Sequence, residues 1–121
     1  MINGKWIRSG CVAAAIFMAV TLFIGAHEIA KINRVPHLIH QVEHFLYYGL
    51  MALLLTHGLG RRWFWIALLA VALIGAIDEW HQFFVPGRSS SAWDWLMDVM
   101  GAGVAVYVYY RWRGRAQKDA S

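Results

Sequence analysis

Charge is scarce in this sequence. Only 15% of its 121 residues are Asp, Glu, Lys or Arg, while 60% are hydrophobic. A soluble domain is nearer one quarter charged and half apolar, so the composition points to a membrane. Cysteine is almost missing. Cys11 alone excludes an intrachain disulfide and a cysteine-rich metal site, and it reads as a small apolar residue. Proline occurs only at Pro36 and Pro86, which leaves long stretches with nothing to interrupt a helix. Internal repeats and low-complexity segments are lacking too, and the length admits one domain, spanning 1–121. Acidic residues are the rarer sign, 7 against 11 basic ones. Those basic residues sit in short clusters beside apolar runs, where they set orientation in a membrane, so nucleic acid is not an expected partner.

What is present are apolar runs of spanning length. They predict an all-α integral membrane bundle of four transmembrane helices, at about residues 10–27, 37–57, 63–84 and 91–111. The first run follows Lys5 and Arg8 and is near the lower limit for a span. Its end, Ile24-Gly25-Ala26-His27, lacks a small-x-small cleavage pattern, so a retained helix is expected rather than a removed signal peptide. A polar connector with Glu28, Lys31, Asn33 and Arg34 leads to Pro36, and proline suits the first turn of a helix. Gly58 and Gly60 supply stops before Arg61-Arg62. The third run turns abruptly polar at Asp78-Glu79 and ends near Pro86-Gly87. The fourth closes on Tyr107, Tyr109, Tyr110 and Trp112, a predicted interfacial belt, followed by the basic residues Arg111, Arg113, Arg115 and Lys118. By loop, eight Lys and Arg lie on the side of the termini and the Arg61-Arg62 turn, against Lys31, Arg34 and Arg88 on the other. That bias puts both termini in the cytoplasm of a multi-pass cell-membrane protein, as an even number of spans requires.

This topology gathers His44, Asp78, Glu79, Gln82, Arg88, Asp94 and Asp98 at the non-cytoplasmic ends of the last three helices. Ionisable groups in a span cost about 2.5–3.5 kcal/mol at a helix centre, so they usually face the bundle interior and mark function. Asp78 and Gln82, Asp94 and Asp98, and His44 and Tyr48 are each four apart, so each pair shares a helix face. Gly101 and Ala105 continue the Asp94 face, and small residues there let another helix approach.

Plainer roles compete with these. Ser91-Ala92-Trp93-Asp94 fits a capping box, in which Asp94 only satisfies backbone donors. Acids at a helix C-terminus oppose its dipole, so Asp78 and Glu79 make poor incidental residues there. Arg88, between the two acidic groups, suits either an ion pair fastening the hairpin or an anion. His37, His40 and His44 fall on one face, with His81 across the bundle, but no HExxH pattern occurs. Neither a metal nor any other cofactor is therefore expected. His27 and His57 read as interfacial bystanders.

The run from Asp78-Glu79-Trp80-His81-Gln82 to Pro86-Gly87-Arg88, followed by Asp94, Asp98 and Gly101, resembles the motif set of the VanZ-like family. His44-Phe45 with Tyr48 is similar to that family's upstream motif, and together the matches run from residue 36 to about 106. The resemblance implies a small bacterial membrane protein related to the teicoplanin-resistance protein and acting in envelope biology. Its polar positions would be His44, Tyr48, Asp78, Glu79, Gln82, Arg88, Asp94 and Asp98. His40 and Gln41 stand where the family commonly has Asp-Lys, so no role that needs that lysine carries over.

Two functions remain open on these residues. In one, the protein is not an enzyme, and the cluster holds the bundle together or binds membrane lipid, a lipid-linked envelope precursor or a glycopeptide, with Arg88, Gln82, Tyr48 and Asp94 as contacts. In the other, an intramembrane hydrolase or transferase acts on a lipid-linked phosphate or ester, with Asp78, Glu79, His44 and Asp98 as acid–base candidates. A proton- or ion-coupled carrier ranks below both, because so short a chain would need to form a homo-oligomer to enclose a path.

Overall fold

A computed structural model of the chain describes residues 4–32, 37–84 and 91–120; for residues 23–32, 37 and 40 it describes the backbone alone. Among the described residues the fold is all-α. Its elements are α1 (Gly4–Ile32), α2 (His37–Leu59), a 3-10 turn (Arg61–Trp63), α3 (Phe64–Phe83) and α4 (Ala92–Asp119). Two helices run further than the apolar pattern suggests. α1 begins six residues early and absorbs part of the expected polar connector, since nothing from Glu28 to Ile32 breaks a helix. α4 continues through the basic tail, whose Arg, Ala, Gln and Lys residues are good helix formers.

α2 is the central helix and packs on α1, α3 and α4, most extensively on α4. Its Tyr48, Met51 and Ala52 form the core with Ala15 of α1, Val71 of α3 and Ala102 and Val106 of α4. Two glycines set how closely the helices meet. A Cβ on Gly101 would lie 2.2 Å from the Phe45 carbonyl oxygen, so α4 rests directly on the backbone of α2. A Cβ on Gly58 would lie 2.5 Å from Val12 Cγ2 and 2.9 Å from the Arg8 carbonyl oxygen, so this glycine marks the α1–α2 crossing rather than the end of α2. The helix stops one residue later, before Gly60, whose φ of 104° is the left-handed region that glycine tolerates. Arg8 then caps α2: its Nε donates to the Gly58 carbonyl at 3.1 Å and Nη2 to that of Leu59 at 2.8 Å. A cation suits this negative end of the dipole.

The expected aromatic belt divides. Tyr107 and Trp112 are exposed, but Tyr109 is buried and its hydroxyl meets His57 Nδ1 at 2.9 Å, while the Tyr110 hydroxyl donates to the Arg61 carbonyl. His57 is thus an interhelical partner, not a bystander. Along the same end, Arg61, Phe64, Tyr107, Tyr110, Arg111 and Lys118 line a groove of about 650 Å³.

Large apolar side chains cover the outside of every helix: Phe17 of α1, Leu46 of α2, Leu73 of α3 and Val108 of α4 are all more than half exposed. By length and composition, the stretches Gly4–Leu22 and Arg61–Phe83 are apolar enough to cross a membrane. α2 and α4 do not reach that mark. They carry Gln41, Glu43, His44, Asp94, Asp98 and the basic tail, which lower their mean hydropathy.

The glycine contacts give a test. Gly101→Ala is expected to cost about 1–3 kcal/mol or more, because backbone and not a side-chain tip must yield. Gly103, with nothing within 4 Å of its would-be Cβ, is expected to accept alanine with a gain of up to about 1 kcal/mol from helix propensity. Unfolding equilibria in detergent micelles measure both, and equal effects would contradict the packing described.

Candidate functional site

The helix directions bring the N-terminal turns of α2 and α4 and the C-terminal turns of α3 to one end of the bundle, away from Arg61 and the basic tail. There His44, Tyr48, Asp78, Glu79, Gln82, Asp94 and Asp98 all turn inward and are buried. His44 and Glu79 keep the most access, 8% and 6% exposed, against 0–2% for the other five.

The α2–α4 close approach at Gly101 sits one turn below the shortest contact of the cluster, His44 Nδ1 to Asp98 Oδ1 at 2.7 Å. Gly75 of α3 makes the space: a Cβ there would lie 3.0 Å from Asp98 Oδ2. Trp95, on the same turn as Asp98, donates its indole N–H to the Ala72 carbonyl at 3.0 Å and pins α4 to α3. Four-residue spacing produces the next layer. Gln82 Nε2 donates to Asp78 Oδ2 at 2.9 Å, and the Tyr48 hydroxyl donates to the same oxygen from α2 at 3.1 Å. The His44 and Tyr48 rings, also four apart, stack at 5.8 Å.

The start of α4 departs from a simple capping box. Ser91 is the N-cap and its Oγ accepts from the Trp93 amide at 3.1 Å, but the Ser91 amide donates to Glu79 Oε2 of α3 at 3.1 Å. Glu79 therefore ties the two helices, and Asp94 is buried at 2% exposure rather than sitting as an open cap. The cluster is rich in acceptors. Asp78 Oδ1, Gln82 Oε1, Asp94 Oδ1 and Asp98 Oδ2 are buried with no hydrogen-bond partner among the described residues. Buried carboxylate oxygens left so are costly, and they call for protons, a cation or a ligand donor.

Of the positions singled out in the sequence, seven meet here. Arg88 falls in residues 85–90 and lies outside the described residues, as do the side chains of His37 and His40. His81 is half-buried on α3. Gly75 and Trp95 were missed, because an isolated glycine in an apolar run and a tryptophan in a span carry no signal of a polar neighbour on another helix.

A family model described as VanZ/LLP1 matches residues 5–113. The chain belongs to the VanZ/LLP1 family. The match takes in most of α1 and ends inside the basic tail of α4. No curated protein and no solved structure matches the chain. Membership in VanZ/LLP1 and the two apolar stretches together point toward a membrane protein.

Replacing Tyr48 by Phe removes one donor to Asp78 and is expected to destabilise by roughly 0.6–1.7 kcal/mol, the range for hydrogen bonds between membrane helices. Asp78→Asn should cost less, since an amide oxygen still accepts from both Tyr48 and Gln82. Unfolding in mixed micelles measures both, and a Tyr48→Phe protein more stable than wild type would contradict the Tyr48–Asp78 contact.

Proposed function

We propose that the chain is a four-span bacterial cell-membrane protein with both termini in the cytoplasm, and that its acidic cluster binds an envelope lipid, a lipid-linked precursor or a glycopeptide near the outer leaflet. The observation that carries this reading is the inverted polarity of the bundle. Each helix turns large apolar side chains outward, while Asp78, Glu79, Asp94 and Asp98 are buried. Water would reverse that distribution, whereas hydrocarbon rewards it. α2 and α4 then span despite their lower hydropathy, because their polar residues face protein. The basic end, with Arg61, Arg62 and the α4 tail, faces the cytoplasm by the bias of positive charge, which sets the cluster at the opposite face. Family membership is the ground for tying this site to glycopeptide resistance.

The 2.7 Å contact between His44 and Asp98 favours a second reading. An imidazole oriented by a carboxylate is the arrangement of a general base, and an intramembrane hydrolase or transferase would use it on a lipid-linked phosphate or ester. Glu79 would then serve as the acid. Arg88, in the sequence between Glu79 and Asp94, would hold the anion.

Asp78→Asn, Glu79→Gln and Arg88→Lys proteins are expected to insert and accumulate normally. They should nonetheless lose whatever teicoplanin tolerance the wild-type protein confers, and lose the lipid that co-purifies with it and is identified by mass spectrometry. Failure of these variants to accumulate would make the cluster architectural instead. Reporter fusions should read both termini as cytoplasmic, and an external terminus would overturn the topology.

A further inference from the structure

His44, Glu79 and Asp98 come from three helices, all three are buried, and each places one ligand-capable atom within 4.8 Å of the others. We propose that this triad is a binding site for a divalent transition-metal ion of the Zn²⁺ or Mn²⁺ class. One imidazole nitrogen and two carboxylate oxygens make a set suited to such ions and poorly suited to Mg²⁺ or Ca²⁺, which prefer oxygen alone. Metal–ligand bonds of about 2.0–2.2 Å hold ligand atoms roughly 3–4 Å apart around one ion, so side-chain movements of under about 1 Å complete the coordination.

A second observation points to a cation independently of that proximity. Asp98 is 0% exposed, and its Oδ2 has no hydrogen-bond partner among the described residues, although Oδ1 meets His44. Asp78, 1% exposed, likewise has a bare Oδ1 in the same cluster. Of the three ligands two are carboxylates, Glu79 and Asp98, whose combined charge one bound dication would match. The ion would have three protein ligands and open positions, the arrangement of sites that admit a further ligand. Asp78, held by Tyr48 and Gln82, would lend charge from outside the coordination sphere.

The site also bears on what the cluster recognises. An ion with open coordination positions would attract a phosphoryl or carbonyl oxygen to a cluster whose own side chains are mostly acceptors. That consequence rests on the envelope-lipid reading, but the metal site does not, and it is tested on the protein alone.

Full-length protein in micelles, freed of any affinity tag and stripped with EDTA, is titrated with Zn²⁺, Mn²⁺ and Mg²⁺ by calorimetry. One equivalent of Zn²⁺ is expected, bound far more tightly than Mg²⁺, and X-ray absorption of the loaded protein should show one imidazole nitrogen among oxygen ligands. His44→Gln, Glu79→Gln and Asp98→Asn should each weaken Zn²⁺ by more than the roughly 10–100-fold that loss of an outer-shell partner produces, while His57→Gln at the other end leaves binding unchanged. Should a triad variant fail to accumulate, wild-type protein still decides: Zn²⁺ is expected to protect Glu79 and Asp98 from a hydrophobic carbodiimide, read by peptide mass spectrometry. Absence of stoichiometric Zn²⁺, Mg²⁺ bound as tightly as Zn²⁺, triad variants that bind like wild type, or unprotected Glu79 and Asp98 would each overturn the assignment. None of these results depends on whether a lipid co-purifies.

Discussion

The contact of Gly101 with the backbone of α2 governs what the rest of the bundle can do. A helix pair normally stands apart by the thickness of its side chains. Here the missing Cβ brings the Phe45 carbonyl against α4, and His44, the residue before Phe45, meets Asp98, one turn before Gly101, at 2.7 Å. Gly75 performs the same service from α3 by leaving room for the Asp98 carboxylate. Polar chemistry at this end therefore depends on small residues that have none.

Burial of four carboxylates among apolar helices is expensive, and interhelical hydrogen bonds averaging about 0.6 kcal/mol do not offset it. Stability has to come from elsewhere in the bundle. It comes from the core around Tyr48, Met51 and Val71, from the Arg8 cap on α2 and from the Tyr47 hydroxyl, which donates to the Met18 carbonyl at 2.7 Å and fastens α1. The cluster is a cost that these contacts carry. Among the described residues its acceptors outnumber its donors.

Much of the fold was legible in advance because its signals are local. Apolar runs, the Gly60 stop and the Arg61-Arg62 boundary all act within a few residues of where they stand. The shared faces of Asp78 with Gln82, and of His44 with Tyr48, follow from helical spacing alone and appear as a 2.9 Å hydrogen bond and a stacked ring pair. Element ends were less legible. α1 and α4 run past the apolar stretch because helix formation does not stop where hydrophobicity does, only where a breaker intervenes. Tyr109 and Tyr110 looked like belt residues, since an interfacial tyrosine and one bonded to a neighbouring helix are identical in sequence.

Taken by itself, the amino-acid order determined that the chain is helical, that its charges are few, and that His44, Asp78, Glu79, Asp94 and Asp98 sort to one end of the helices while most of the basic residues sort to the other. Those are properties of spacing and composition along one strand of chain. Which carboxylate meets the imidazole, which amide Glu79 accepts from, and that His44, Glu79 and Asp98 share one small volume were decided only by tertiary structure. The physical reason is that rotation and separation of packed helices are set by side chains on opposing surfaces, and no position on one helix specifies what it faces on another.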